Sequence, residues 1–249
     1  MVDLEIASGV AWLTLNRPAK LNALDRLSVR ALAAHLQALR DRSDVGVVVT
    51  RGAGRAFCAG SDLNDLAPLS TAEAVAAEDE HAAACALYDL LPQPTVALLH
   101  GYVLGGGLGL ALYHDFRIAM TSATLGLPEV ELGWTPPWAV GRLVDVIGGA
   151  GARWLALAAE RVSGQEAKAI GLVNEVFPDE QFADGSEAFI RHLAALPPAA
   201  LRETKALLVQ MSSLRDSRWD RAASEAFARC YATPEARASL ERFTRQRRP

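Results

Sequence analysis

The 249-residue chain carries 25 lysines and arginines against 29 aspartates and glutamates, and 51% of its residues are hydrophobic. That apolar share supports a folded core and excludes a disordered chain, while the slight acidic excess excludes a protein that grips a nucleic-acid backbone by bulk positive charge. Three widely separated cysteines, Cys58, Cys85 and Cys230, with no CxxC pair and no nearby histidine cluster, predict reduced thiols in a cytoplasmic protein and no metal site.

The N-terminal stretch MVDLEIASGVAWLTL has Asp3 and Glu5 where an export signal needs basic residues, and Val10–Leu15 predicts a strand. Asp25–Arg40 has helical apolar spacing between Asn22 and a charged segment and predicts a surface helix. Val45–Thr50 is apolar on both faces, as a buried strand is. A polar, glycine-rich turn over Arg51–Gly60 follows, then an alanine-rich helix over Thr71–Leu91 that Pro92 and Pro94 stop. Thr95–His100 repeats the buried-strand pattern, the glycine cluster after it opens another helix, and Asp115–Ala119 is the next strand.

The uncharged run Thr95–Tyr113 is about as long as a membrane span. With Gly101, Gly105, Gly106, Gly107, Gly109 and His100 inside it, a strand, a turn and a short buried helix are the better reading, so no membrane span is expected. Beyond Trp138 the signals turn helical, with a capping box at Ser163 and Glu166 and Pro234 as the first residue of the last helix. The alternation predicts an α/β architecture, with a core over 1–178 and a helical region over 179–249.

Two loops set small residues after a buried strand and before a helix: AFCAGSDL, Ala56–Leu63, and HGYVLGGGLGLAL, His100–Leu112. Free backbone N–H groups at such places suit developing negative charge. Tight packing alone also explains the glycines. A nucleotide cradle fits less well, because neither loop ends in a Walker pattern and the GxGxxG register fails at Leu110 and at Phe57.

With LNRPAKLNAL at Leu15–Leu24, LGLPEVELG at Leu125–Gly133 and VSGQEAKAIGLVNEVFP at Val162–Pro178, these loops make five landmarks in order. The chain resembles the enoyl-CoA hydratase/isomerase, or crotonase, superfamily over nearly its whole length. The resemblance implies a ClpP/crotonase-like spiral of ββα units with C-terminal helices that mediate trimerisation, hence a homotrimer or hexamer. It implies an acyl-CoA substrate, with coenzyme A as part of that substrate and no separate cofactor. The backbone N–H groups of Ser61 and Gly106 would hold the thioester oxygen, with Arg17, Ala59, Gly105 and Phe243 in contact with the ligand, Phe243 supplied by a neighbouring subunit. Asp62 is expected to cap a helix, and Gln246 stands where the family has a lysine, leaving that charge to Arg245, Arg247 or Arg248.

Hydratases of the family use two glutamates. Here Gly109 stands at the first position and Glu129 at the second, so Glu129 is expected to act as a single acid/base on an enolate, with isomerisation of 3-enoyl-CoA to 2-enoyl-CoA favoured. A 2-enoyl-CoA hydratase or related lyase, and a non-catalytic acyl-CoA binder, are the alternatives. Glu131, His100 and His114 are expected to be structural. Leu201, Leu207, Leu208, Trp219 and Phe227 are apolar residues for a subunit contact or for the chain's own core.

Overall fold

The computed structural model describes residues 1–245, the side chains of 212–217 excepted. Strands β1 (Val2–Ala7) and β2 (Val10–Leu15) form a hairpin whose two turn residues, Ser8 and Gly9, both have positive φ, as a tight hairpin of matching twist requires. Helix α1 (Arg26–Leu39), capped by Asp25 accepting from Ser28 N–H, crosses over to β3 (Val47–Gly52). Then come β4 (Ala56–Cys58), α2 (Leu63–Leu66) and α3 (Thr71–Ala86), and next β5 (Thr95–Leu99), β6 (Tyr102–Leu104) and α4 (Gly106–Leu112). The chain continues through β7 (Phe116–Met120), β8 (Thr124–Gly126), α5 (Val140–Ala156), β9 (Arg161–Ser163), α6 (Gly164–Ala169) and β10 (Glu175–Phe177). Helices α7 (Phe182–Ala195), α8 (Pro198–Tyr231) and α9 (Pro234–Arg245) close it.

Six strands form one sheet in the order β1-β2-β3-β5-β7-β10, and four form a second in the order β4-β6-β8-β9. Each pair β3/β4, β5/β6 and β7/β8 steps from the large sheet to the small one, so successive units wind as a spiral. This is the expected ββα architecture. Strands β2, β3, β5 and β7 lie within two residues of their predicted places, whereas β1 had not been separated from the hairpin stretch and the three-residue strands of the small sheet carry too little pattern to be read singly. The helix expected over Thr71–Leu91 ends its α-helical part at Ala86, and a 3-10 turn over Leu87–Leu90 brings the chain to Pro92.

The main core fills the space among the two sheets, α1, α3, α4 and α5. The other face of the large sheet is sealed by Phe182, Ile190 and Leu193 of α7, so the helical region contributes to the core rather than standing apart from it. Helices α8 and α9 return to the small-sheet end, where Phe227, Tyr231, Ala236 and Leu240 pack with Leu66, Ala74 and Trp134. Phe227 therefore completes its own chain's core at 1% exposure, while Leu207, Leu208 and Trp219 stay exposed. Helix α8 is moored by the buried Lys205 ammonium, which donates to Asp115 at 2.7 Å and to the Gln93 and Tyr88 carbonyls at 3.0 and 3.2 Å. An ammonium taken out of water needs such partners. Among the described residues no helix is long and apolar enough to cross a membrane.

Helix α4 lies on β4 with no room between them: a Cβ on Gly107 would stand 2.2 Å from the Cys58 carbonyl oxygen. Gly107→Ala is expected to cost about 2–3 kcal/mol in urea unfolding, the usual scale of overpacking against an unyielding neighbour. Gly46→Ala, whose Cβ would meet its nearest atom at 3.6 Å, serves as the control and should cost well under half as much. Equal midpoints for the two variants would show that α4 is not wedged.

Candidate active site

Three loops, each leaving the end of a small-sheet strand, meet at one cavity of about 80 Å³. Ala59, Gly60 and Ser61 follow β4, Gly105 and Gly106 follow β6, and Pro128 and Glu129 follow β8, with Leu63, Glu78, Trp134 and Pro137 among the remaining walls.

Ser61 is bridged to Leu24 through its neighbours, since Leu24 N–H donates to Gly60 O and Asp62 N–H to Leu24 O, both at 2.8 Å. That parallel bridge leaves the Ser61 N–H pointing the other way. Gly106 begins α4, where a helix gives its first N–H groups no internal acceptor. The two segments lie side by side: a Cβ on Gly106 would lie 3.5 Å from Ser61 N, and one on Gly60 would lie 3.3 Å from Gly106 N. Two neighbouring backbone donors can stabilise an oxygen that gains negative charge if both reach it.

Glu129 opens a 3-10 turn over Glu129–Leu132 and is buried at 6% exposure. Its Oε2 has no hydrogen-bond partner, and its Oε1 lies 3.2 Å from where a Cβ on Gly105 would be. Gly105, at φ 55°, is in the left-handed region as well, so both backbone and space call for glycine there. Burial pushes the Glu129 carboxyl up to about 8, against a smaller lowering by its own backbone, and the charge of Glu78 adds to the rise. Glu129 thus holds a proton near neutral pH and can exchange it there.

Gly109 has no free volume for a carboxylate: a Cβ would stand 2.5 Å from the Trp138 ring. Trp138, itself 4% exposed, donates its Nε1–H to Glu78 Oε2 at 2.9 Å. Glu78 and His81 lie one turn apart on α3, both buried, with His81 Nδ1 placed 3.4 Å from Glu78 Oε2 and 3.3 Å from Ser61 Oγ. Burial raises the Glu78 carboxyl, yet His81, Trp138 and Ser61 together outweigh it and hold the group below the ordinary glutamate value. Neither Glu78 nor His81 was singled out by motif. The available signal was periodicity, because Ala74, Glu78, His81 and Cys85 are spaced as one helical stripe, and that stripe is the buried one.

The remaining candidates divide. Asp62 caps α2 by accepting from Asn64 N–H at 3.0 Å, as expected. Arg17 is committed to the scaffold: it pairs with Asp62 at 2.9 Å and Asp25 at 3.1 Å and donates to the Ala23 carbonyl, which ties the 17–25 loop to the start of α2. Ala59 lines the cavity and donates its N–H to Leu21 O at 3.0 Å. Phe243 is half-buried on α9, a helix that packs on α2 and on the Glu129 turn of its own chain. Arg245 pairs with Glu241 at 3.2 Å, and Gln246, Arg247 and Arg248 lie outside the described residues.

Glu131 faces away in an ion pair with Arg161 at 2.7 Å. His100 meets the Gly54 carbonyl at 2.9 Å. His114 is buried between Leu110 O and Thr50 Oγ1, and burial depresses its pKa to about 3, so it stays neutral as a structural residue.

Comparison with known proteins bears on the family and the fold. The family model for enoyl-CoA hydratase/isomerase matches residues 5–249. The 2,3-dehydroadipyl-CoA hydratase of Escherichia coli (strain K12) is 31% identical over 241 residues, 96% of this chain and 94% of that protein. The peroxisomal Delta(3,5)-Delta(2,4)-dienoyl-CoA isomerase of Arabidopsis thaliana is 33% identical over 217 residues, 82% of this chain and 78% of that protein. A crystal structure of an enoyl-CoA hydratase/isomerase from Xanthobacter autotrophicus Py2 superposes with a TM-score of 0.91 at 29% identity, covering 98% of this chain and 93% of that one. With a family match across almost the whole sequence and the spiral fold of its solved relatives, the chain belongs to the enoyl-CoA hydratase/isomerase family.

Proposed function

We propose that the chain binds an enoyl-CoA thioester with its carbonyl oxygen between Ser61 N–H and Gly106 N–H, and that Glu129 moves the proton on the enolate so formed. The observation that carries this reading is the buried, unpartnered Oε2 of Glu129 in the cavity that those two donors border. Donors aimed at an oxygen help most when its charge develops, so they favour the enolate over the bound thioester. In isomerisation the Glu129 carboxylate takes a C2 proton from a 3-enoyl-CoA, the electron pair spreads over the dienolate, and Glu129 returns the proton to C4. One carboxylate suffices, which suits a glycine at 109 whose space Trp138 fills. Hydration of a 2-enoyl-CoA is the second reading, favoured by Glu78 in the same cavity wall.

The two reactions need opposite states of Glu129. Isomerisation starts from the ionised group, so its kcat/KM should climb with pH and level off above about 8, whereas hydration consumes the protonated group and should fall through about 8. Rate profiles with 3-enoyl and 2-enoyl thioesters, followed by the absorbance of the conjugated thioester, separate them. Glu129→Gln keeps size but carries no proton, so turnover should drop at least ~10²-fold with thioester affinity little changed; parental turnover in the folded variant would overturn the assignment. Gly106→Val should abolish turnover and weaken binding, because its side chain would enter the space 3.5 Å from Ser61 N.

The same raised pKa has a stability signature. A carboxyl protonated in the folded state up to about 8, and in the unfolded state only up to the ordinary glutamate value of 4.5, contributes its full stability below 4.5 and loses it as pH rises towards 8. The expected slope from this group is about 1.4 kcal/mol per pH unit within that window. Glu129→Gln should lack this slope and exceed the parent in stability at the alkaline end, as urea titrations at several pH values would show.

A further inference from the structure

We infer that Glu78 is a second catalytic residue of this site, a carboxylate supplied from α3 that activates water where Gly109 offers no side chain. The inference rests on the thioester site proposed above and adds hydration to what that site does. It stands first on placement. Glu78 borders the same cavity as Ser61, Gly105, Gly106 and Glu129, and is 3% exposed.

It stands next on an exchange of space. The volume that a glutamate at 109 would enter holds the Trp138 ring, and the Nε1–H of that ring holds Glu78 at 2.9 Å. Thus the residue that excludes one carboxylate anchors another at the cavity wall. A glutamate kept only to satisfy an indole N–H would be a costly choice, since a buried carboxylate loses its hydration and a neutral acceptor serves an N–H as well. His81 Nδ1 lies at 3.4 Å from the same oxygen and Ser61 Oγ within 3.3 Å of that nitrogen, so the carboxylate is oriented from more than one side.

The electrostatics agree with the placement. Glu78 is held ionised by His81, Trp138 and Ser61 against the effect of burial, while Glu129 is pushed up to about 8. One carboxylate ready to accept and one carboxylic acid ready to donate is the division of labour that addition of water requires. In the step, Glu78 takes a proton from water as the water oxygen bonds to C3 of a 2-enoyl-CoA. The C2–C3 π pair moves into the enolate held at Ser61 and Gly106. The enolate then collapses as Glu129 gives its proton to C2. Water is consumed whole, the product is a 3-hydroxyacyl-CoA, and Glu78 and Glu129 end with their protonation exchanged until solvent resets them.

The test compares hydration of a 2-enoyl-CoA with isomerisation of a 3-enoyl-CoA in the parent, Glu78→Gln and Trp138→Phe. The parent is expected to carry out both reactions. Glu78→Gln should lower hydration at least ~10²-fold and isomerisation by less, so that the ratio of the two falls at least ~10-fold. Trp138→Phe keeps the ring in place but removes the N–H that positions Glu78, and should lower the ratio in the same direction. Parallel loss of both reactions in Glu78→Gln would show a structural role and overturn the inference, as would hydration at the parental rate or a parent that isomerises without hydrating. If Glu78→Gln does not fold, an unchanged ratio in Trp138→Phe overturns it. A parent inactive in both reactions would instead remove the thioester reading itself, and this inference with it.

Discussion

The seating of α4 on β4 is the constraint from which the rest of the site follows. Because Gly107 has no side chain to hold them apart, the first turn of α4 sits directly over Cys58, and the loop that leaves β4 at Ala59 comes up beside Gly106. Strands β4, β6 and β8 are parallel neighbours, so their C-terminal ends lie in a row. Ser61 follows the first, Gly106 the second and Glu129 the third. The spiral thus converts a repeat in sequence into convergence in space: each winding delivers one group to the same edge, as open parallel sheets deliver ligand-binding groups at the ends of their strands.

Residue 109, the first of the two glutamate positions that the resemblance implies, is a glycine in this chain. A glycine at 109 with nothing packed against it would leave a void beside the proposed thioester site, and a void of that kind forfeits packing contacts. Trp138 occupies it from the 134–138 segment, and an indole buried there brings an N–H that needs an acceptor. Glu78 answers that need at 2.9 Å. Packing, hydrogen bonding and charge are linked in this one exchange, which makes Gly109, Trp138 and Glu78 a set whose members are not independently replaceable.

Much of this was legible beforehand, and the division has physical causes. The strands from Val10 onward were visible because burial imposes a period on them, and the start of α6 because Ser163 and Glu166 form a capping box, whereas the caps at Ser70 and Asp25 emerged with the structure. Ser61, Gly106 and Glu129 were named through the resemblance, whose loop motifs are local in sequence, and the three loops meet at one cavity. Glu78 and His81 were not, because an alanine-rich helix gives an almost featureless pattern and their partner Trp138 is 60 residues away. Arg17 was expected at the ligand by resemblance, and its pairing with Asp25 and Asp62 within the chain was not foreseen. Phe227 was open to either a subunit contact or the chain's own core, and the return of α8 across Trp134 placed it in the core.

That return also bears on Glu129. Gly133 ends the Glu129 turn in the left-handed region, and a Cβ there would lie 3.1 Å from Ala236 N, so the turn is pressed against the first residues of α9. Trp134, next in sequence, packs edge-on to Phe227 and tilted to Tyr231, whose hydroxyl donates to Leu66 O at 2.6 Å. Glu129 therefore keeps its depth because the C-terminal helices cover the turn that bears it. Depth is what raises its carboxyl, since desolvation is the largest cause of that shift. A helical region remote in sequence from both loops thus sets the proton affinity of the group between them, and any loosening of α9 would admit water to Glu129 and return it towards an ordinary carboxylate.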